Sequence, residues 1–313
     1  MKSHFKILVA SDYSRAGNNA ERYAIQFAKA TDAELTFFHA FEESFYFPEK
    51  SIEFEKMDEN PVRGELTDLK LHIADMYRSM EMKAEEVNCR YIVRQGTLAN
   101  ELYTEAEADK TDFIVMGTHE TDLLQLMING SHTWEVIKKA PIPVLAIPEE
   151  ASFKNINHIV FATEYRKGEI PVIHFLTNLA MLFDAELTIL HVSNDVFSLE
   201  FEKEMFDRFK NEVKSLIVYN KLSLQLVHNN DLVEGLNNFC EKANADWLVM
   251  SHERSLFIVN MFNPVSATKK MSFHTHVPLL AVPDAYKPKH ETTATVSGNG
   301  HTQKADLYED FFL

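Results

Sequence analysis

The chain repeats itself, and this constrains its fold more than any other feature. Asp32–His39 (Asp-Ala-Glu-Leu-Thr-Phe-Phe-His) returns 152 residues later as Asp184–His191 (Asp-Ala-Glu-Leu-Thr-Ile-Leu-His). At the same offset Ile7–Tyr13 faces Ile159–Tyr165. Asp112–Met116 answers Asp246–Met250 at an offset of 134, and Pro143–Pro148 answers Pro278–Pro283 at 135. Four blocks in one order mark a duplicated unit. The drop in offset gives the first copy 18 extra residues between His39 and Asp112. These fall mainly in Ser44–Leu66, which is rich in Phe, Glu and Pro and lacks a helical period. Polar residues at Glu149–Asn155 separate the copies. The predicted units are 1–150, 151–286 and a tail, 287–313.

Within each copy short apolar runs alternate with amphipathic ones. Phe5–Ala10, Leu35–Ala40, Arg90–Val93, Phe113–Met116 and Val144–Ile147 are β-branched or aromatic with few charges, as in strands buried on both faces. Asn18–Ala30, Glu65–Lys83, Leu98–Ala108 and Ser131–Lys139 carry apolar residues at helical spacing. Strands alternating with helices predict right-handed crossovers and a parallel sheet covered on both sides. The expected fold class is α/β: two tandem doubly wound, Rossmann-like domains, each with a five-stranded parallel sheet.

Charge and cysteine content narrow the partners. A net charge of −16, from 47 acidic and 31 basic residues, repels phosphate backbones and anionic headgroups, which argues against nucleic acid and membrane. A small anion held by backbone N–H groups stays compatible with it. Cys89 and Cys240 lie in different copies and read as buried small hydrophobes. No apolar run approaches a membrane span, and no signal-type segment opens the chain, so the expected compartment is the cytoplasm. From Lys287 to Asp306 the composition predicts disorder. The apolar end, Leu307–Leu313, is a candidate contact with a protein partner or with the chain's own fold.

In open parallel sheets, ligands sit beyond the carboxyl ends of the strands. In the first copy those junctions are Ser11-Asp12-Tyr13-Ser14 and Gly117-Thr118-His119-Glu120. The second junction leads to Asn129-Gly130-Ser131, where the fourth helix starts and its N–H groups form an anion site. Asp12 could accept a hydrogen bond from a sugar hydroxyl. No Gly-x4-Gly-Lys-Ser/Thr loop and no Gly-x-Ser-x-Gly turn occurs. His274 and His276 lack a third metal ligand, so no metal site is assigned. His39 and His191, at matching ends of the second strand, read as packing or hydrogen-bonding residues common to the fold.

Taken together, Ile7–Ser14, Val115–His119, Gly130-Ser131 and Pro141–Pro148 resemble the universal stress protein family in its tandem form, over about 285 residues. The resemblance implies strand order 3-2-1-4-5 and pairing of the two domains through their last strands. It also implies binding of ATP or another adenine nucleotide, with Mg as a possible companion, in the first copy. Asp12 would contact the adenosine part and the backbone near Ala40 the base. Gly117, Gly130 and Ser131 match three of the four positions of the family's phosphate loop, Gly-x-x-Gly-x9-Gly-Ser/Thr. Glu120 stands at the second glycine of that loop. Like charges a few ångströms apart cost roughly 1 to 4 kcal/mol, so Glu120 must point outward or share a cation with the phosphates.

The second copy has Glu164 for Asp12, Ser251 for Gly117, Arg254 for Glu120 and Pro264-Val265 for Gly130-Ser131, and is expected to be a structural partner. The expected function is a regulatory stress-response role without catalysis. The alternative is a nucleotide-independent interaction scaffold. A slow ATPase comes third, because no general base or nucleophile is placed at the loop.

Overall fold

The computed structural model describes residues 5–42, 61–118, 132–166, 168–194, 199–251, 277–283 and 286. Gly130, Ser131, His119, Glu120, Arg254, Pro264, Val265, His274, His276 and the 287–313 tail lie outside them. In the first half, β1 (Lys6–Ala10) leads to α1 (Arg15–Thr31), β2 (Glu34–Phe41), α2 (Pro61–Ser79) and β3 (Cys89–Gln95). Then come α3 (Leu98–Ala108), β4 (Phe113–Thr118), α4 (His132–Lys139) and β5 (Val144–Pro148). The second half runs β6 (His158–Ala162), α5 (Glu169–Phe183), β7 (Glu186–Ser193), α6 (Leu199–Leu216) and β8 (Leu222–His228). It ends with α7 (Leu232–Ala243), β9 (Trp247–Ser251) and β10 (Leu279–Val282).

The ten strands form one sheet in the order β3-β2-β1-β4-β5-β10-β9-β6-β7-β8. Each half has the order 3-2-1-4-5 with parallel neighbours, and the two meet where β5 and β10 pair antiparallel, Leu145 opposite Leu280. The stretch between Pro148 and His158 holds the sequence-derived boundary. Buried side chains divide into two layers. One lies between the sheet and α1, α2, α5 and α6, the other between the sheet and α3, α4 and α7. Alternate strand residues therefore enter opposite cores: Ile7 and Val9 one, Leu8 and Ala10 the other. That is why these strands read as continuous apolar runs.

Local chemistry sets the helix ends. Ser14 caps α1 by accepting from Gly17 N at 2.9 Å, which carries the helix three residues beyond its apolar period. Asp32 and Asp184 close α1 and α5 in left-handed geometry, φ 57° and 54°. Both open the repeated Asp-Ala-Glu-Leu-Thr block, so the repeat includes a helix stop. The second helix begins earlier than its apolar spacing predicts, with Pro61 in its first turn, where a missing N–H is harmless. It ends at Ser79 and not at Lys83, because the chain turns at Glu81 with φ 55°. The long connection lies between Phe41 and Pro61; the corresponding one, Ser193 to Leu199, is short.

The halves share a seam of rings. Phe27 is fully buried against Trp247, Phe183, Phe113 and Phe153, with centroids 5.4 to 6.1 Å away. Trp247 Nε1 donates to the Tyr23 hydroxyl at 2.6 Å. Asn19 Nδ2 donates to Pro148 O and Ala151 O, tying α1 to the connection between halves.

Candidate functional site

The site grows from the turn after β1. Ser11 N–H donates to Phe38 O at 2.8 Å, extending the β1–β2 ladder by one residue. Its carbonyl lies 2.7 Å from His39 Nδ1. A carbonyl only accepts, so Nδ1 carries the proton. Asp12 follows, exposed, with Oδ1 accepting from Ser14 N at 2.9 Å. The carboxylate folds over the start of α1, and a Cβ at Gly17 would come within 2.1 Å of Oδ1. Gly17 is therefore the room that Asp12 needs.

Ala40 borders the same space through its backbone. Carbonyls alternate in direction along a strand, so Ala40 points to the side of Phe38, toward β1. Because β1 has already ended, Ala40 faces past it. Phe41 points the other way and accepts from Gly96 N–H at 2.9 Å. Gly117 closes the third side at the end of β4. A Cβ there would lie 2.4 Å from Ala16 C and O and 2.6 Å from Gly17 N. Its carbonyl accepts from Thr133 Oγ1 at 3.0 Å, which ties the first turn of α4 to β4. The glycine that sequence reading gave to a ligand loop thus has a packing task too, holding α1 close. The structure brings Asp12, Ala40 and Gly117 to one edge; Gly130 and Ser131 immediately precede α4.

Beneath Asp12 lies a feature the sequence reading missed. Glu21 of α1 is fully buried and accepts from Ser11 Oγ. Its other oxygen is 2.8 Å from His72 Nε2 on α2. That hydrogen bond raises the imidazole's pKa, with burial and Arg22 opposing. The available signal was a glutamate among Ala20, Ala24 and Ile25 on the apolar face of α1. Tyr13 packs on His39 and His72, with ring centroids 4.7 and 5.1 Å away. Burial, then Glu65 and Asp68, push its hydroxyl pKa up to about 12.

The second half fills its own turn. His191 Nδ1 lies 2.7 Å from Thr163 O, repeating His39 and Ser11. Glu169, at the position of Gly17, turns its buried carboxylate back into the loop. There it accepts from Thr163 Oγ1, from Glu164 N at 3.0 Å and from Arg166 N at 3.3 Å. Burial lifts the Glu169 carboxyl to about 7 against these hydrogen bonds. Ser251, in place of Gly117, is buried at the end of β9. Among the described residues no cluster of three or more His, Cys, Asp or Glu is arranged to hold a metal ion, and no helix is long and apolar enough to cross a membrane.

A doubly wound sheet with the β1 turn, the end of β2 and the start of α4 meeting at the β1–β4 switch point defines the class: a doubly wound α/β protein, a topology that binds ligands at this edge. Comparison with known proteins gives the family. Residues 4–148 match the model of the universal stress protein family. A universal stress protein of Methanocaldococcus jannaschii is 33% identical over 144 residues, 45% of this chain and 81% of that protein. The chain belongs to the universal stress protein family.

Solved structures agree on the fold. A universal stress protein from Archaeoglobus fulgidus superposes with a TM-score of 0.61 at 14% identity, covering 89% of this chain and 98% of that one. A putative universal stress protein from Pseudomonas aeruginosa gives 0.56 at 16% identity, covering 90% and 94%.

Proposed function

We propose that this chain is a tandem universal stress protein with a regulatory, non-catalytic role in the cytoplasm, and that its first half binds one adenine nucleotide. The observation behind this reading is the convergence of Asp12, the outward backbone of Ala40 and the Gly117–Thr133 tie at one sheet edge. The parts suit a nucleoside phosphate. An exposed carboxylate accepts from ribose hydroxyls, a strand backbone at Ala40 that on its β1 side pairs with none of the described residues offers a donor and an acceptor to a base, and a helix start after Gly130-Ser131 offers N–H groups to phosphate. Any Mg would arrive with the phosphates, for the described residues offer no cluster of their own.

The second half serves as the structural partner, because Glu169 already satisfies the donors that its turn presents. The test is purification without added nucleotide, denaturation, and chromatography of what is released, alongside calorimetry with ATP and magnesium. Adenine nucleotide in the supernatant, or heat that disappears in Asp12→Ala, supports the reading. No release and no heat ends it.

A further inference from the structure

The two halves put the same tyrosine in the same uncommon conformation and cover it differently. Tyr13 and Tyr165 both have positive φ, 59° and 60°, which is rare for a bulky residue and concentrates at functional positions. Each ring lies on the histidine that contacts its own turn, with centroids 4.7 Å from His39 and 4.0 Å from His191. In each half that histidine's Nε2 faces a glutamate of the next helix, Glu65 at 3.7 Å and Glu202 at 3.4 Å.

These shared contacts align α2 with α6 and place His72 where α6 has Phe209. The repeat likewise places Glu21 where α5 has Ile173. In the second half Phe206 and Phe209 close over Tyr165, at 6.2 and 5.3 Å, and Ile173 is fully buried. In the first half a buried carboxylate and a partly exposed imidazole take the two places, and Tyr13 stays 37% exposed.

The fold does not account for this exchange. A buried charged pair is commonly no more stabilising than apolar residues of similar volume, and the second half shows that this position accepts them. What distinguishes the first half is the exposed Asp12 beside a turn where Gly17 stands in place of the second half's Glu169. We infer that the Glu21–His72 pair positions Tyr13 as the aromatic wall of the first-half site, against whose exposed part the flat base of a nucleotide packs. This rests on the nucleotide reading above and adds the residues that select a planar base.

Around His72 stand Glu21 and Arg22 of α1 and Tyr13 of the turn. Glu65 and Asp68 of α2 and His39 of β2 face Tyr13. Glu21 raises the His72 pKa. The imidazole is therefore charged on the acid side of that value and loses its charge as pH rises through it. The hold on Tyr13 should weaken in the same direction.

Calorimetry of the full chain with AMP across pH 6 to 9 tests the proposal. Loss of base stacking predicts roughly a 5- to 150-fold weaker affinity for Tyr13→Ala, while Tyr13→Phe retains wild-type affinity. His72→Gln keeps a donor to Glu21 and should bind with a flat pH profile where the wild type weakens toward alkaline pH. In a triple variant, Glu21→Ile and His72→Phe copy the second half's apolar filling, and Ser11→Ala removes the hydroxyl that would lose its acceptor Glu21. That variant should be at least as stable to urea as the wild type and bind AMP at least tenfold more weakly. AMP binding within twofold of wild type by both Tyr13→Ala and the triple variant overturns the inference and leaves the nucleotide reading intact. A wild type that binds no adenine nucleotide overturns both.

Discussion

Gly117→Ala separates a packing glycine from a ligand glycine. The added methyl would sit 2.4 Å from Ala16 C and O, more than an ångström inside the usual contact of about 3.5 Å. The obstructing atoms are backbone in the first turn of α1, so no side-chain rotation relieves the overlap. Overpacking of this kind costs about 1–3 kcal/mol, occasionally more. Retreat of α1 would also move Gly17 and the Ser14 cap, and with them the turn that holds Asp12. The assay is urea unfolding followed by intrinsic fluorescence. The expected result is a lower midpoint with an unchanged slope. Gly64→Ala is the control, because a Cβ there meets nothing within 4 Å; in a helix it should be neutral or stabilise by about 0.5–1 kcal/mol. A Gly117→Ala protein within about 0.5 kcal/mol of wild type, the range of harmless surface changes, would refute the close packing of α1 on β4.

Other consequences follow from buried polar groups. Tyr23→Phe removes the acceptor of the Trp247 Nε1–H in the seam between halves. It should lower stability by about 1–3 kcal/mol in a single urea transition, and two separated transitions would contradict a shared core. Glu169 is lifted from its ordinary 4.5 to about 7 by burial, so the native state binds this proton more tightly than the unfolded chain. Its contribution to stability therefore falls as pH rises from 4.5 to about 7 and is level above that. Glu169→Gln should flatten this part of a pH–stability curve, and an unchanged slope would mean that another group titrates there.

Much of the fold was legible because it depends on local pattern. Strands buried on both faces are apolar without interruption, and the Asp-Ala-Glu-Leu-Thr block marks a helix stop followed by a strand. The start of α2 was less legible: Pro61 lies in a stretch of irregular composition, and its role shows only where the helix begins. In the site, the turn at Asp12 could be placed from sequence because strand ends collect ligands in this topology.

The Glu21–His72 pair could not, since its partners lie 51 residues apart and meet only when α2 docks. Gly117 reads as a ligand glycine in the sequence, and its added packing task shows only where the backbone of Ala16 and Gly17 lies against it. No motif in the sequence marks Glu169, an acid at the start of a helix. Its filling of the second turn emerges from comparing the halves position by position with Gly17.

The central claim is that one half of a duplicated chain binds nucleotide while the other is filled by its own side chains. The most direct measurement is the stoichiometry of AMP bound to the intact chain by equilibrium dialysis, repeated with Gly17→Glu, which transplants the second half's acid into the first. The account predicts one nucleotide per chain for the wild type and none for Gly17→Glu. Two per chain, or one retained after the transplant, would contradict it.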